Sequence, residues 1–121
     1  PALIPEVIAF CRDQEAQVFP GAMTPTEIFS AWTMGVGMVK VFPASVLGPG
    51  FIKNMRGPFP QIPLMPTGGI RPEDAGKWFD AGAVAIGVGS ELYRKDWIAA
   101  GAWAEIERTA RQYLAAAGGQ G

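Results

Sequence analysis

Met38-Val39-Lys40-Val41-Phe42 reads as a short buried strand with one charge inside it. Three further apolar runs have the same character: Gln17-Val18-Phe19, Ile62-Pro63-Leu64-Met65 and Val84-Ala85-Ile86-Gly87-Val88. Each interval between them is long enough for a helix, and each carries helix punctuation. Thr24-Pro25-Thr26-Glu27 offers an N-cap, a proline at the first helical position and a glutamate to close a capping box; this helix should stop at Gly35. Gly50 to Arg56 fits a short helix ended by Gly57. Arg71-Pro72-Glu73-Asp74 opens another, with two acids where the helix dipole favours them, ending near Gly82. Pro5 to Gln14 is amphipathic through Val7, Ile8 and Cys11, and Trp103 to Ala117 forms the last helix before a frayed tail at Gly118-Gly119-Gln120-Gly121. The predicted order α-β-α-β-α-β-α-β-α makes this an α/β chain with parallel strands and right-handed crossovers. Two architectures fit: an open four-stranded parallel sheet, or four βα units forming half of a (β/α)8 TIM barrel, a fold that takes ~250 residues when whole.

Composition narrows the function. With 121 residues, 49% of them hydrophobic, the chain supports one modest core, so residues 1–121 are expected to form a single domain. Ten Lys and Arg against eleven Asp and Glu give a net charge of -1, without the basic excess of a nucleic-acid binder. No apolar run approaches the ~18 residues of a membrane span. The single Cys11 excludes an internal disulfide and suits a reducing compartment, hence a cytoplasmic location. Histidine is absent, which removes Ser-His-Asp and Cys-His catalysis, His-ligated zinc and a histidine base. The first residue is Pro1 rather than Met, and Ala2-Leu3-Ile4-Pro5 does not read as a signal peptide. Processing, clipping and a longer parent protein all fit such a start.

Three places carry chemistry. Period two puts Met38, Lys40 and Phe42 on one strand face. A lysine in that setting is costly to keep charged, so its pKa should fall, and a neutral amine in a dry pocket attacks carbonyl carbon. The plainer reading is a lysine that snorkels to water or pairs with a carboxylate. Pro66-Thr67-Gly68-Gly69-Ile70 follows the third strand; its glycines admit close approach of backbone N–H groups to an anion, and Thr67 adds a hydroxyl. Gly87-Val88-Gly89-Ser90 follows the fourth strand, and Ser90 begins a helical turn through Tyr93. Either glycine-rich loop alone is compatible with an ordinary turn. As a consecutive pair they match the phosphate site that barrels form in their last two loops. A nucleophilic lysine beside a phosphate grip points to a phosphorylated carbonyl substrate. Trp32, Trp78, Trp97 and Trp103 read as helix-packing or interface residues.

Phe19-Pro20-Gly21-Ala22-Met23-Thr24-Pro25-Thr26-Glu27, Val39-Lys40-Val41-Phe42-Pro43-Ala44, Gly57-Pro58-Phe59-Pro60, Pro66-Thr67-Gly68-Gly69-Ile70 and Gly87-Val88-Gly89-Ser90 stand in an order that resembles the 2-keto-3-deoxy-6-phosphogluconate and 4-hydroxy-2-oxoglutarate aldolase family. The resemblance covers nearly the whole chain and implies the C-terminal half of a class I aldolase barrel, commonly a homotrimer. It implies that Lys40 forms the Schiff base, that Phe42 packs beside the substrate, and that Pro20 and the Gly21 turn line the pocket. Thr67, Gly68, Gly69 and Ser90 match the phosphate-binding positions. Thr67 favours the phosphogluconate branch; Ser45 departs from members that carry an acid after Phe-Pro-Ala. The implied substrate is a small phosphorylated keto acid, with no metal and no organic cofactor. The family's general-base glutamate and carboxylate-binding arginine belong to the first half of the barrel and have no counterpart here, since Glu27 is accounted for by its capping box and Glu91 by a first helical turn. A phosphate-binding isomerase or epimerase, and an inactive half-barrel that associates with itself, are the rival expectations.

Overall fold

In the computed structural model, residues 1–118 are described. Of the expected tail, Gly118 ends the last helix and residues 119–121 lie outside the described residues. The elements run α1 (Pro5–Asp13), β1 (Gly21–Ala22), α2 (Pro25–Thr33), β2 (Val39–Val41), α3 (Ala44–Leu47), α4 (Pro49–Met55), β3 (Leu64–Pro66), a 3-10 turn (Pro72–Asp74), α5 (Ala75–Asp80), α6 (Lys95–Ala99) and α7 (Trp103–Gly118). The three strands form one parallel sheet in the order β1-β2-β3, with Gly21 opposite Lys40 and Lys40 opposite Met65.

Alternation along β2 and β3 decides where the core lies. Val39, Val41, Leu64 and Pro66 are buried, whereas Lys40 and Met65, on the other face, are half-buried. The buried face packs with Ile28 and Ala31 of α2, Ile52 of α4, Ile62, Ile70, Trp78 of α5 and Tyr113 of α7 in one apolar cluster. Trp32 packs at the edge of that cluster, Trp97 lies under the Arg94 guanidinium, and Trp103 stays exposed. No helix among the described residues is long and apolar enough to cross a membrane.

Two expected strands differ. The first is not Gln17-Val18-Phe19 but Gly21–Ala22, where β2 supplies the ladder: Lys40 N–H donates to the Pro20 carbonyl and Phe42 N–H to that of Ala22. Strand pairing therefore prevails over the β propensity of Val18 and Phe19. The Val84–Val88 run forms no strand but a single bridge, Thr67 with Gly87. It is attached at two points, by Val84 N–H to the Leu64 carbonyl and Gly87 N–H to that of Pro66. Short helices α3 and α6 leave no mark in the sequence, because four or five residues give too few turns to show a period.

The α2 capping box forms as its sequence predicts. Thr24 Oγ1 accepts from Glu27 N–H, and Glu27 Oε2 accepts from the N–H groups of Met23 and Thr24. These backbone donors, and then the Thr24 hydroxyl, hold the Glu27 carboxyl below the usual carboxylate range. Its folded-state pKa is depressed, so its contribution is present above the unfolded-state pKa and is lost as pH falls through the folded value. Thr24→Ala should cost about 1 kcal/mol of stability at neutral pH. Urea denaturation should show a smaller cost in acid, where the protonated Glu27 has already weakened the box.

Candidate functional site

Lys40 sits at the middle of β2, the central strand, and its backbone is fixed from one side. Its N–H donates to the Pro20 carbonyl at 2.9 Å. Pro20 itself is buried, and its ring lines a cleft under α1 with Val7, Ile8 and Phe19. The lysine side chain leaves the sheet on the face opposite Val39 and Val41, and its Nζ lies 5.4 Å from the Phe42 ring centroid. No carboxylate among the described residues pairs with it. Of the two plain alternatives for this lysine, the ion pair is therefore not formed. The apolar enclosure is one-sided: Phe42 covers the amine, while Lys40 remains half-exposed.

Beyond the ladder, the chain after β2 is sewn to the chain after β3. Thr67 N–H donates to the Val41 carbonyl at 2.9 Å, Ala44 N–H to that of Thr67 at 2.8 Å, and Ser45 N–H to that of Gly68 at 3.0 Å. The seam is close enough to require its glycines. Gly68 and Gly69 have φ of 100° and 71°. A Cβ on Gly68 would lie 3.1 Å from the Phe42 ring, and one on Gly69 would lie 2.7 Å from Ser45 Cβ. The Phe42 ring thus touches both the Lys40 amine and the glycine loop. The Gly69 N–H donates to no backbone carbonyl among the described residues.

The second loop joins the first at one point. Gly87 is bridged to Thr67, and a Cβ there would come within 2.3 Å of the Thr67 hydroxyl. That hydroxyl donates to the Met65 carbonyl at 3.3 Å. Ser90, three residues further, opens a helical turn in which Leu92 and Tyr93 N–H both donate to the Gly89 carbonyl. The Ser90 N–H also donates to no backbone carbonyl among the described residues, but its hydroxyl is turned to Glu91 Oε2 at 3.1 Å. Lys40, Phe42, Gly68, Gly69 and Thr67 therefore form one connected group, with Ser90 attached through the Gly87 bridge.

Such an arrangement sets an amine with no carboxylate partner against an aromatic ring that also meets the glycine loop just past the end of β3, the end of the sheet at which ligands bind in α/β folds. Two residues that support the backbone of the site from outside it carry little signal in the sequence. Ser45, noted only as a departure, holds the Gly68 carbonyl and abuts Gly69. Tyr113 of α7 donates its hydroxyl to the Ile70 carbonyl at 2.6 Å. A lone tyrosine among the alanines and charges of α7 is the available signal, but its partner lies too far along the chain to be read locally.

A family model described as KDPG and KHG aldolase matches residues 1–109. The 2-dehydro-3-deoxy-6-phosphogalactonate aldolase of Escherichia coli is 38% identical over 116 residues, covering 95% of this chain and 53% of the relative. The 2-dehydro-3-deoxy-phosphogluconate aldolase of Pseudomonas aeruginosa is 33% identical over 115 residues, covering 94% of this chain and 52% of the relative. Among solved structures, the KDPG aldolase of Legionella pneumophila, with pyruvate captured as a covalent carbinolamine intermediate, superposes with a TM-score of 0.81 at 25% identity, covering 94% of this chain and 55% of its own. The chain thus spans about half the length of the curated relatives it matches.

Contact between Gly87 and Thr67 gives a test of the seam. Gly87→Ala should destabilise the chain by about 1–3 kcal/mol through overpacking. In the Thr67→Ala background the side chain it strikes is shortened, so the second substitution should cost less. A double-mutant cycle by urea denaturation measures the coupling.

Proposed function

Since the chain belongs to the KDPG and KHG aldolase family, we propose that residues 1–121 are the C-terminal half of a (β/α)8 barrel aldolase that splits a 2-keto-3-deoxy-6-phospho sugar acid. The observation that carries the reading is the position of Lys40, unpaired and against Phe42, in the strand next to the Thr67-Gly68-Gly69 loop. Support for the half-barrel comes from the sheet. Its strands stand in sequential order, its helix-covered face is buried, and its Lys40 face is not. A further open place lies at the Val84–Val88 edge, where an apolar cleft of about 430 Å³ is lined by Val84, Val88, Leu92, Tyr113 and Leu114.

The proposed reaction begins with the Lys40 amine attacking the C2 ketone of the substrate. The carbinolamine loses water to give an iminium, which draws electrons from the C3–C4 bond as that bond breaks and the C4 hydroxyl gives up its proton. Glyceraldehyde 3-phosphate leaves; the remaining enamine takes a proton at C3 and is hydrolysed to pyruvate, restoring the free lysine. The carbinolamine captured in the Legionella relative supports this nucleophilic step. Phe42 packs beside the reacting carbons, and Pro20 fixes the Lys40 backbone through its carbonyl. Gly68, Gly69, Thr67 and Ser90 grip the phosphate through backbone N–H groups and hydroxyls. No metal or organic cofactor enters this scheme.

The phosphogluconate acid is the proposed substrate, with 4-hydroxy-2-oxoglutarate as a second. The names of the relatives divide between the gluconate and galactonate acids. Those substrates differ at C4 and yield the same two products. Proton transfer is assigned to residues of the barrel's first half, so the 121-residue chain alone should form the imine while lacking the ~10²–10⁴-fold contribution of a general acid–base. A cytoplasmic homotrimer completes the proposal.

Incubation with pyruvate and borohydride, followed by intact-mass measurement and peptide mapping, tests it. A reduced pyruvyl adduct is expected on Lys40 and none on the Lys40→Ala variant. An adduct only when the complete barrel is supplied would place the activating pocket across both halves. No adduct in either case would overturn the Schiff-base mechanism in favour of a phosphate-binding isomerase.

A further inference from the structure

We propose that Tyr113, on the outer helix α7, is a positioning residue for the anion-binding loop, fixing the Gly68-Gly69-Ile70 backbone from behind. The proposal rests on the phosphate-grip reading of that loop. The loop has almost no side chains with which to hold itself. Gly68 and Gly69 both adopt positive φ, a region where glycine has wide freedom, so the direction of their N–H groups depends on what holds each end. The front end is held by main chain: Thr67 N–H on Val41, Ala44 N–H on Thr67, and Ser45 N–H on Gly68. The back end is held by a side chain from 43 residues further along, the Tyr113 hydroxyl on the Ile70 carbonyl at 2.6 Å.

Several observations make this bond directional rather than incidental. Both partners are inside: Ile70 is 1% exposed and Tyr113 7%. A buried carbonyl robbed of its donor rotates toward another, because an unmatched acceptor in the interior is costly. The Ile70 carbonyl lies in the peptide that joins Ile70 to Arg71, so the bond anchors the chain one residue past Gly69, and a turn of Ile70 would carry the Gly69–Ile70 peptide with it, where Gly69 has no side chain to resist. Position along α7 also matters. Thr109 and Tyr113 are one turn apart and both buried, so the helix is seated on the 3-10 turn and α5 by the same stripe that presents the hydroxyl. Burial, together with the Glu91 and Glu73 carboxylates, pushes the Tyr113 hydroxyl up to about 12, so it stays a donor throughout the neutral range. Tyr113 also lines one apolar cleft with Val88 and Leu92, so it stands beside the chain of the second glycine-rich loop as well.

The test compares the 121-residue chain with its Tyr113→Phe variant, which keeps the ring and removes the donor. Two probes separate the two halves of the site. Inorganic phosphate is titrated while the amide NMR signals of Gly68, Gly69 and Ile70 are followed. Pyruvate with borohydride reports imine formation at Lys40. Tyr113→Phe should weaken phosphate binding on the order of tenfold and leave the pyruvate-trapping rate unchanged. Thr109→Ala serves as a control that loosens the same helix without touching the hydrogen bond, and should leave phosphate affinity near that of the wild type. Equal phosphate affinity in wild type and Tyr113→Phe would overturn the positioning role while leaving the phosphate grip standing. Equal losses in Tyr113→Phe and Thr109→Ala would overturn it in favour of general loosening of α7. No phosphate response in the wild type would bring down the grip and the proposal together, and pyruvate trapping would still report on Lys40. If Tyr113→Phe folds poorly in buffer, the same titrations in sucrose, which favours the compact state, decide between these results.

Discussion

Three main-chain hydrogen bonds past the end of the strand ladder hold this site together: Thr67 to Val41, Ala44 to Thr67, and Ser45 to Gly68. They extend the β2–β3 pairing beyond the point where the strands themselves stop. Without them the chain after Lys40 and the chain after Met65 would diverge into independent loops, as strand-to-helix connections ordinarily do. With them, Phe42 is pressed against Gly68, and Lys40 sits under the same ring. The amine and the glycine loop thereby occupy one rigid frame, the condition for holding two ends of a small ligand at once.

The frame leaves little space, and the sequence answers with the smallest residue at each crossing. Gly69 faces Ser45, Gly68 faces Phe42, Gly87 faces Thr67, and a Cβ on Gly21 would overlap the backbone of Pro1 at 2.1 Å. These glycines do different work. At 68 and 69 the backbone needs positive φ as well as room. At 21 and 87 only the room is needed. Substitution to alanine therefore fails for two separable reasons along one seam.

Much of this was legible in the residues. The helices at Pro5–Asp13, Pro25–Thr33 and Trp103–Gly118 follow from amphipathic period and capping chemistry, both of which act within one or two turns. Lys40 stood out because a charge interrupts an otherwise apolar run. The first strand was misplaced because Val18 and Phe19 look more like a strand than Gly21 and Ala22, and only the partner strand decides between them. The fourth run was read as a strand from composition alone, while the structure gives it one bridge. Ser45 and Tyr113 were invisible as site residues for the same reason: each matters through what it meets across the fold, at Gly69 and at Ile70.

Sequential strand order has a kinetic consequence. Each pairing in the sheet, and the bridge after it, joins segments about 20–25 residues apart, so every loop closed is short and follows the one before it. A chain emerging residue by residue meets each partner soon after making it. The longest closure tied to the site is the one from α7 back to Ile70, across 43 residues. The glycine loop thus draws its front contacts from neighbouring strands and its rear contact from the final helix, so a chain cut short before α7 would carry all the residues of the loop without the Tyr113 contact behind it.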